Sequence, residues 1–333
     1  MALAPSAPAQ TPSPQQRARE LNAEVVERCR RGEHAEAIPK AREALALREK
    51  ALGPNHTLVA ESLQSLADCL REANEYAEAR PLYERALAIR EKAFGPGHAT
   101  VAWNLHELGV LLTRTGDYAA ARPLLERGLA IREQVYGPDH NNVAISLQEL
   151  GFLLYTTGDL AAARPLLERA LRIREQVYGP NHLALGLTTL YLGRVHRDSG
   201  DHAAARPLLE RSLEIRERAL GPSHPFVATS AAHLGILFMQ AGEYAAARPL
   251  LERALAIREQ ARGPDDLDVA VSLNDLGGLL QRTGDYAGAR ARYERALQIQ
   301  ERRLGPSHPA VAQTLLHLAA TDRIAGDPAA ARR

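Results

Sequence analysis

Cysteine, lysine and aromatic side chains are scarce in this 333-residue chain. Two cysteines, Cys29 and Cys69, cannot build a framework of several bridges; their scarcity suits a reducing cytosol, and a cytoplasmic location is expected. Lysine is confined to Lys40, Lys50 and Lys92, and 41 basic residues against 40 acidic ones leave a formal net charge of +1. That balance gives no electrostatic reason for nucleic acid or an anionic membrane as a partner. No run of about 18 apolar residues occurs, so no segment reads as a membrane span. The opening MALAPSAPAQTPSPQQ has no basic stretch followed by an apolar one and does not read as a secretory signal. Its prolines, Pro5, Pro8, Pro12 and Pro14, mark residues 1–14 as an expected disordered leader. Phosphate-binding glycine loops, CxxC, HExxH and nucleophile motifs are also missing, so neither catalysis nor a cofactor is expected.

What is present is one unit written repeatedly. Gly-Pro pairs begin at Gly53, Gly95, Gly137, Gly179, Gly221, Gly263 and Gly305, at a constant spacing of 42 residues. A second mark, mostly Gly before an acid, falls at Gly32, Asn74, Gly116, Gly158, Gly200, Gly242, Gly284 and Gly326 with the same period. Between the marks lie two apolar-periodic segments. From His98 to Thr115, residues Val101, Leu105, Leu108, Gly109 and Leu112 form one stripe of an α-helix, helix A. From Tyr118 to Tyr136, residues Ala121, Leu125, Gly128, Leu129 and Ile131 form the stripe of helix B. Each glycine of the Gly-Pro pair ends helix B, and its proline stops the helix from continuing. The next residues, Asn55, Gly97, Asp139, Asn181, Ser223, Asp265 and Ser307, are of the types that cap a helix N-terminus and are expected to cap helix A. The prolines inside helix B, from Pro39 and Pro81 to Pro207 and Pro249, are expected to bend it.

These residues resemble the tetratricopeptide repeat. Leu105, Leu108, Gly109, Leu112, Ala121, Leu125 and Gly128 sit in that motif's frame, with leucine in place of most of its large aromatics. The 42-residue period, with RPLLERALAIREQ followed by GPxH, is similar to the longer kinesin-light-chain type. The resemblance covers residues 17–333. It implies an all-α fold, a right-handed superhelical solenoid of stacked antiparallel helix pairs, with A helices on the concave side. The units run roughly over 15–55, 56–97, 98–139, 140–181, 182–223, 224–265 and 266–307, with a truncated 308–333. It also implies a non-catalytic scaffold that binds a protein or peptide. The alternative it implies is a regulatory sensor arm of a larger signalling protein, with an NTPase, kinase or caspase-like effector elsewhere. The register into Gly326 and Asp327 favours a piece of a longer protein.

The side of helix A opposite its core stripe is where a ligand is expected. In the first complete unit that side is polar, with Glu61, Gln64, Asp68, Arg71 and Glu72. Further on it turns apolar, with Trp103, His106, Val110 and Arg114, then Ile145, Gln148, Phe152 and Tyr155. Leu187, Leu190, Arg194 and Arg197 follow, then Ile236 and Met239, before the side becomes polar again from Asn274. Packing common to every unit would recur in every unit. An apolar floor confined to the middle is therefore expected to receive an amphipathic helix or hydrophobic peptide, with the arginines meeting acidic flanks. Trp103, Phe152 and Tyr155 are the expected anchors.

The recurring His56, His98, His140, His182, His224 and His308 read as linker residues, because packed helices stand too far apart for equivalents to share one metal. His196 and His202 replace core-type residues and read as a satisfied or solvated pair, or as part of a softer unit. Pairs such as Glu126-Arg127 and Arg132-Glu133 read as a solvated, locally balanced face. Thr321 and Asp322 read as a solvating end cap.

Overall fold

A computed structural model describes residues 13–326 of the chain. The A helices are α1 (Pro14–Arg30), α3 (Thr57–Glu72), α5 (Ala99–Arg114), α7 (Asn141–Thr156), α9 (Leu185–Asp198), α11 (Pro225–Gln240), α13 (Leu267–Arg282) and α15 (Pro309–Ile324). The B helices are α2 (His34–Leu52), α4 (Tyr76–Phe94), α6 (Tyr118–Tyr136), α8 (Leu160–Tyr178), α10 (His202–Leu220), α12 (Tyr244–Arg262) and α14 (Tyr286–Leu304). No strand occurs among the described residues. The leader expected over residues 1–14 and the repeat start expected from Asp327 onward fall almost wholly outside the described residues; Ser13 caps α1 and Pro14 opens it.

The chain divides into two compact units, residues 1–157 and 158–333. Within the first, α1 pairs with α2, α3 with α4 and α5 with α6, and each B helix also packs on the next A helix. Within the second, the same pattern joins α9 with α10, α11 with α12 and α13 with α14, while α15 stacks on α14. Inside each unit neighbouring A helices approach closely, as α1 does α3 and α9 does α11; among the described residues neighbouring B helices stand further apart and are joined by long side chains, as Arg127 joins Glu91. The A layer is thus the tighter layer of each unit.

The stripes read from the sequence are the core. Val101, Leu105, Leu108, Gly109 and Leu112 are buried against Ala121, Leu125, Gly128 and Ile131. Close approach of the two helices requires a bare backbone at Gly109, where a Cβ would stand 2.6 Å from Leu125 Cδ2. Gly137 has φ 85° and ψ 161°, a region essentially reserved for glycine, so helix B ends there in an extended turn.

Helix A is capped one residue later than expected. His98 Nδ1 accepts from the Thr100 amide at 3.2 Å, and His140 Nδ1 from the Asn142 amide at 3.1 Å. His56, His224 and His308 do the same, and Asp266 substitutes its carboxylate. An imidazole nitrogen two bonds beyond Cβ reaches the amide two residues on, as the Asp266 carboxylate does. Phe94, Tyr136 and Tyr178 stack on His98, His140 and His182 at 4.5–4.8 Å between ring centroids. These histidines are helix caps as well as linkers. Where His182 stands, α9 begins only at Leu185 and has 14 residues where α7 has 16, with Gly186 weakening its first turn.

Helix B starts at the acid of the second mark: Asp117, Asp159, Asp201 and Asp285 each accept from the amide three residues on. Pro123 lies inside α6, which continues through it as one 19-residue helix, and α14 with Ala291 in that place has the same length.

Two arginine series bind successive pairs; the Glu126-Arg127 series stays partly solvated, whereas the Arg132 series corrects the reading of a solvated face. Arg127 donates to the Pro96 carbonyl at 3.2 Å and pairs with Glu91 at 2.6 Å, both in the preceding repeat. Arg85, Arg211, Arg253 and Arg295 repeat this link to Pro54, Pro180, Pro222 and Pro264. Arg132, paired in the sequence reading with Glu133, is 5% exposed and points between A helices. Its guanidinium donates to the Asn142 carbonyl at 3.2 Å and to Ser146 Oγ at 2.8 Å. Arg48, Arg90, Arg174, Arg216 and Arg258 are buried at the same repeat position.

Two further expectations are corrected, and the histidine reading of the fourth unit is given its geometry. Cys29 and Cys69, read as the mark of a reducing compartment, form a disulfide between α1 and α3, with Cα atoms 5.8 Å apart. Thr321 and Asp322 are buried rather than solvated; Thr321 Oγ1 donates to the His317 carbonyl at 2.8 Å, and Arg290 meets Asp322 at 3.3 Å. His196 is buried and satisfied, with Nδ1 3.3 Å from Asp201 Oδ2, while the half-buried His202 opens α10.

Candidate ligand-binding face of the A helices

In unit 1 the face opposite the core stripe is built by α5 and α7. Trp103, on α5, is 42% exposed; Val110 is half-buried and Arg114 exposed. His106, between them, is only 8% exposed. On α7, Ile145, Phe152 and Tyr155 are half-buried and Gln148 is buried. A cavity of about 380 Å³ opens between the two helices, with Trp103, His106 and Ile145 in its wall beside Arg90, Arg132 and Tyr136. Three residues of the expected set are thus brought together in one recess.

Beneath Trp103 lies a polar layer. Arg90 donates to Gln64 Oε1 at 2.7 Å and to Asn104, and Asn104 Nδ2 donates to the same Gln64 oxygen at 2.8 Å. The Arg90 guanidinium lies 5.6 Å from the Trp103 ring centroid, within cation–π range. Glu107, at the cavity edge, is held by Arg71. Burial, with the neighbouring Arg132 and Arg71 charges, pushes the His106 imidazole down to about 3, so it is neutral at physiological pH. Burial raises Asp68, which accepts from Tyr83 Oη at 2.6 Å, to about 6.

In unit 2 the corresponding side chains serve packing. Leu190 is 1% exposed, sealed in a cluster with Leu209, Leu234 and Phe238, which corrects its placement on an open floor. Leu187, Ile236 and Met239 are partly buried against that cluster. Arg197 is buried as well, bonded to Asp198 at 2.7 Å and 3.2 Å from His233 Nδ1; Arg194 lies over the Tyr191 ring. The physical reason is reach: side chains of one A helix fill the gap to the next, so an apolar residue opposite the core stripe still finds a neighbour.

The sequence reading missed Arg90, Arg132, Tyr136 and Asn142. A signal existed in the recurrence of arginine at residues 48, 90, 132, 174, 216 and 258, ended by Gln300. Among the described residues no group of three or more His, Cys, Asp or Glu is arranged to hold a metal ion, and no helix is long and apolar enough to cross a membrane.

Stacked helix pairs of constant length, capped alike and bridged by arginines at a fixed period, define a helical repeat protein of the solenoid class. The model of the tetratricopeptide repeat family matches over residues 25–92, 75–134, 100–176, 148–218, 186–260, 226–302 and 268–333, and the chain belongs to that family. Among solved structures, a Podosopora anserina protein of the kinesin-light-chain type with nearly identical TPR-like repeats is 26% identical. The match covers 62% of this chain and 98% of that one, with a TM-score of 0.52. BtubC (BKLC) from P. vanneervenii is 22% identical over 71% of this chain and 93% of its own, with a TM-score of 0.56. A Rap protein, solved in complex with competence and sporulation factor, is 16% identical over 94% of this chain and 91% of its own, with a TM-score of 0.63. No curated protein matches the sequence.

Proposed function

We propose that the chain is a non-catalytic interaction scaffold whose A-helix faces bind a peptide or a helical segment of a protein partner. The observation that carries this reading is the recess of unit 1, where the exposed Trp103 ring and Ile145 lie directly beside buried cations. An amphipathic segment meets both, its apolar side chains against the ring and its polar groups against the guanidiniums. Aromatic side chains with a charged neighbour dominate binding energy at protein interfaces. The Rap protein, solved in complex with competence and sporulation factor, has the same fold and supports a role in binding a partner.

Partner capture from a lysate by immobilised wild type, compared with a Trp103→Ala/Phe152→Ala/Ile236→Ala variant, tests the reading. Partners are expected to be retained by the wild type and lost by the variant, with the helical content of both unchanged. Equal capture by the two proteins would overturn it.

A further inference from the structure

Cys29 and Cys69 are 40 residues apart, two short of the period, so they hold different places in the repeat. Cys69 is 1% exposed and stands where Leu111, Leu153, Leu237 and Leu279 fill the core of later A helices. Cys29 is half-buried and stands where Arg71, Thr113, Tyr155 and Gln281 come later. Stacking does not require their bond. α5 and α7, α9 and α11, and α11 and α13 approach each other without a covalent link, and a hydrogen bond of 3.0 Å between Asn22 and Ser62 also joins α1 to α3. Nor is the bond sealed. A cavity of about 380 Å³ opens on both cysteines, with Val25, Val26, Arg30, Asp68 and Glu72 in its wall. Exchange with an outside thiol requires a thiolate to reach one sulfur of a disulfide, and here the half-buried Cys29 offers one.

The same wall carries a second departure from the repeat. Asp68 stands where Val110, Phe152, Ile236 and Gly278 come later, and it accepts a hydrogen bond from Tyr83 Oη at 2.6 Å. Tyr83 itself stands where Leu125, Leu167, Leu209 and Leu251 follow. Burial, and then the Glu107 charge on α5, raise the Asp68 carboxyl to about 6, against the opposing pull of Tyr83 on α4 and Arg71. The other charged groups in the wall are Arg30 from α1 and Glu72 from the same helix as Asp68. A carboxyl that gives up its proton just below neutrality therefore shares a wall with both sulfurs. Ionised, it opposes a thiolate on its neighbour Cys69; protonated, it does not.

We propose that the Cys29–Cys69 bond is a thiol-exchange site whose substrate is a small monothiol without negative charge. The incoming thiolate attacks Cys29 Sγ and forms a new S–S bond, while the Cys29–Cys69 bond breaks and its electron pair leaves on Cys69 Sγ, which takes up a proton. A second monothiol attacks the sulfur of the first. The two leave together as one small disulfide, and Cys29 takes up a proton. Two thiols are thereby oxidised and one protein disulfide is reduced. Asp68 and Glu72 outnumber Arg30 in the wall and disfavour an anionic thiol. None of these residues lines the recess at Trp103, so the site stands apart from the peptide reading.

The oxidised full chain is mixed under native conditions with cysteamine, mercaptoethanol or mercaptoacetate at equal thiolate concentration. Samples are quenched with N-ethylmaleimide and mapped by mass spectrometry, and each rate is scaled to that of the same thiol with a small neutral disulfide. The expected product carries the small thiol on Cys29 and maleimide on Cys69. Mercaptoacetate is expected to react about fivefold more slowly than cysteamine, a screened Coulomb effect. With mercaptoethanol, the rate constant per thiolate should fall about tenfold as pH rises through about 6, the effect of one charge appearing near the leaving thiolate. Asp68→Asn should remove that fall. Tyr83→Phe should move it to higher pH, because it deletes a hydrogen bond that holds the carboxyl down. A purely structural role for Asp68 moves neither. If circular dichroism shows that Asp68→Asn does not fold, Tyr83→Phe decides. The proposal is overturned by no adduct where the guanidinium-unfolded chain reacts, by the small thiol appearing on Cys69 instead, or by mercaptoacetate reacting as fast as cysteamine. A rate per thiolate that does not fall with pH, or a fall that Asp68→Asn keeps or Tyr83→Phe leaves in place, also overturns it.

Discussion

Unit 1 and unit 2 are written with the same repeat and held by the same cross-pair arginines, yet their A-helix faces finish differently. In unit 1 the face opens into a recess walled by Trp103 and Ile145 over two buried guanidiniums. In unit 2 the same face carries Leu187, Ile236 and Met239, which lean on the buried Leu209–Phe238–Leu251 cluster. Polar groups there are drawn inward instead: burial and the surrounding arginines hold His233 well below the usual histidine range, and burial lifts Asp275 to about 6. The frame and the face are thus separable. Residues that cap, close and bridge the pairs recur at 42-residue intervals, and a few face residues per repeat rewrite the surface without disturbing the backbone.

The comparison can be broken most severely at the disulfide. Only unit 1 holds a covalent link among the described residues, between Cys29 and Cys69, 40 residues apart. Cys69→Ser, or reductant, should cost unit 1 about 3–4 kcal/mol. Amide exchange should quicken in α1 to α4 and stay unchanged in unit 2; an equal change in both units would show that they are not separable. A smaller effect tests whether the frame is common. Gly109→Ala and Gly277→Ala place a Cβ 2.6 Å from Leu125 and 2.7 Å from Tyr293. Each should cost about 1–3 kcal/mol in denaturant unfolding, since overpacking a filled helix contact forces the neighbour to move. A neutral result in one unit alone would mean that its pairs close differently. The smallest effect concerns the caps. His140→Ala should cost about 1 kcal/mol, and His140→Asp much less, because Asp266 already performs that role in unit 2. Thermal melting of the two variants checks it.

Much of the frame was legible in the sequence. The period, the helix bounds Ala99–Arg114 and Tyr118–Tyr136, and the buried stripes follow from apolar spacing and glycine punctuation, which act within one hairpin. What was not legible acts between hairpins. Arg132 follows Ile131 and reads as a surface residue by its position on the helix, but its long side chain lays the guanidinium between two A helices. Leu190 reads as exposed by the same rule and is sealed by the next A helix. Of the candidate site, Trp103, His106 and Ile145 line one recess. The cations that give the recess its chemistry lie on the other helix of each pair and were missed. Cys29 and Cys69 escaped for a similar reason: a spacing two short of the period makes them diagonal neighbours, a relation visible only after the helices are stacked.

The arginine links to proline carbonyls all point one way. Arg85, Arg127, Arg211, Arg253 and Arg295 each reach a proline carbonyl 31 residues earlier, never one ahead. During synthesis, every new hairpin in this set therefore finds its acceptor already made, and none waits for sequence still inside the ribosome. Such latches suit growth from the first hairpin toward the last, with the nascent chain locking down behind the tunnel exit one period at a time.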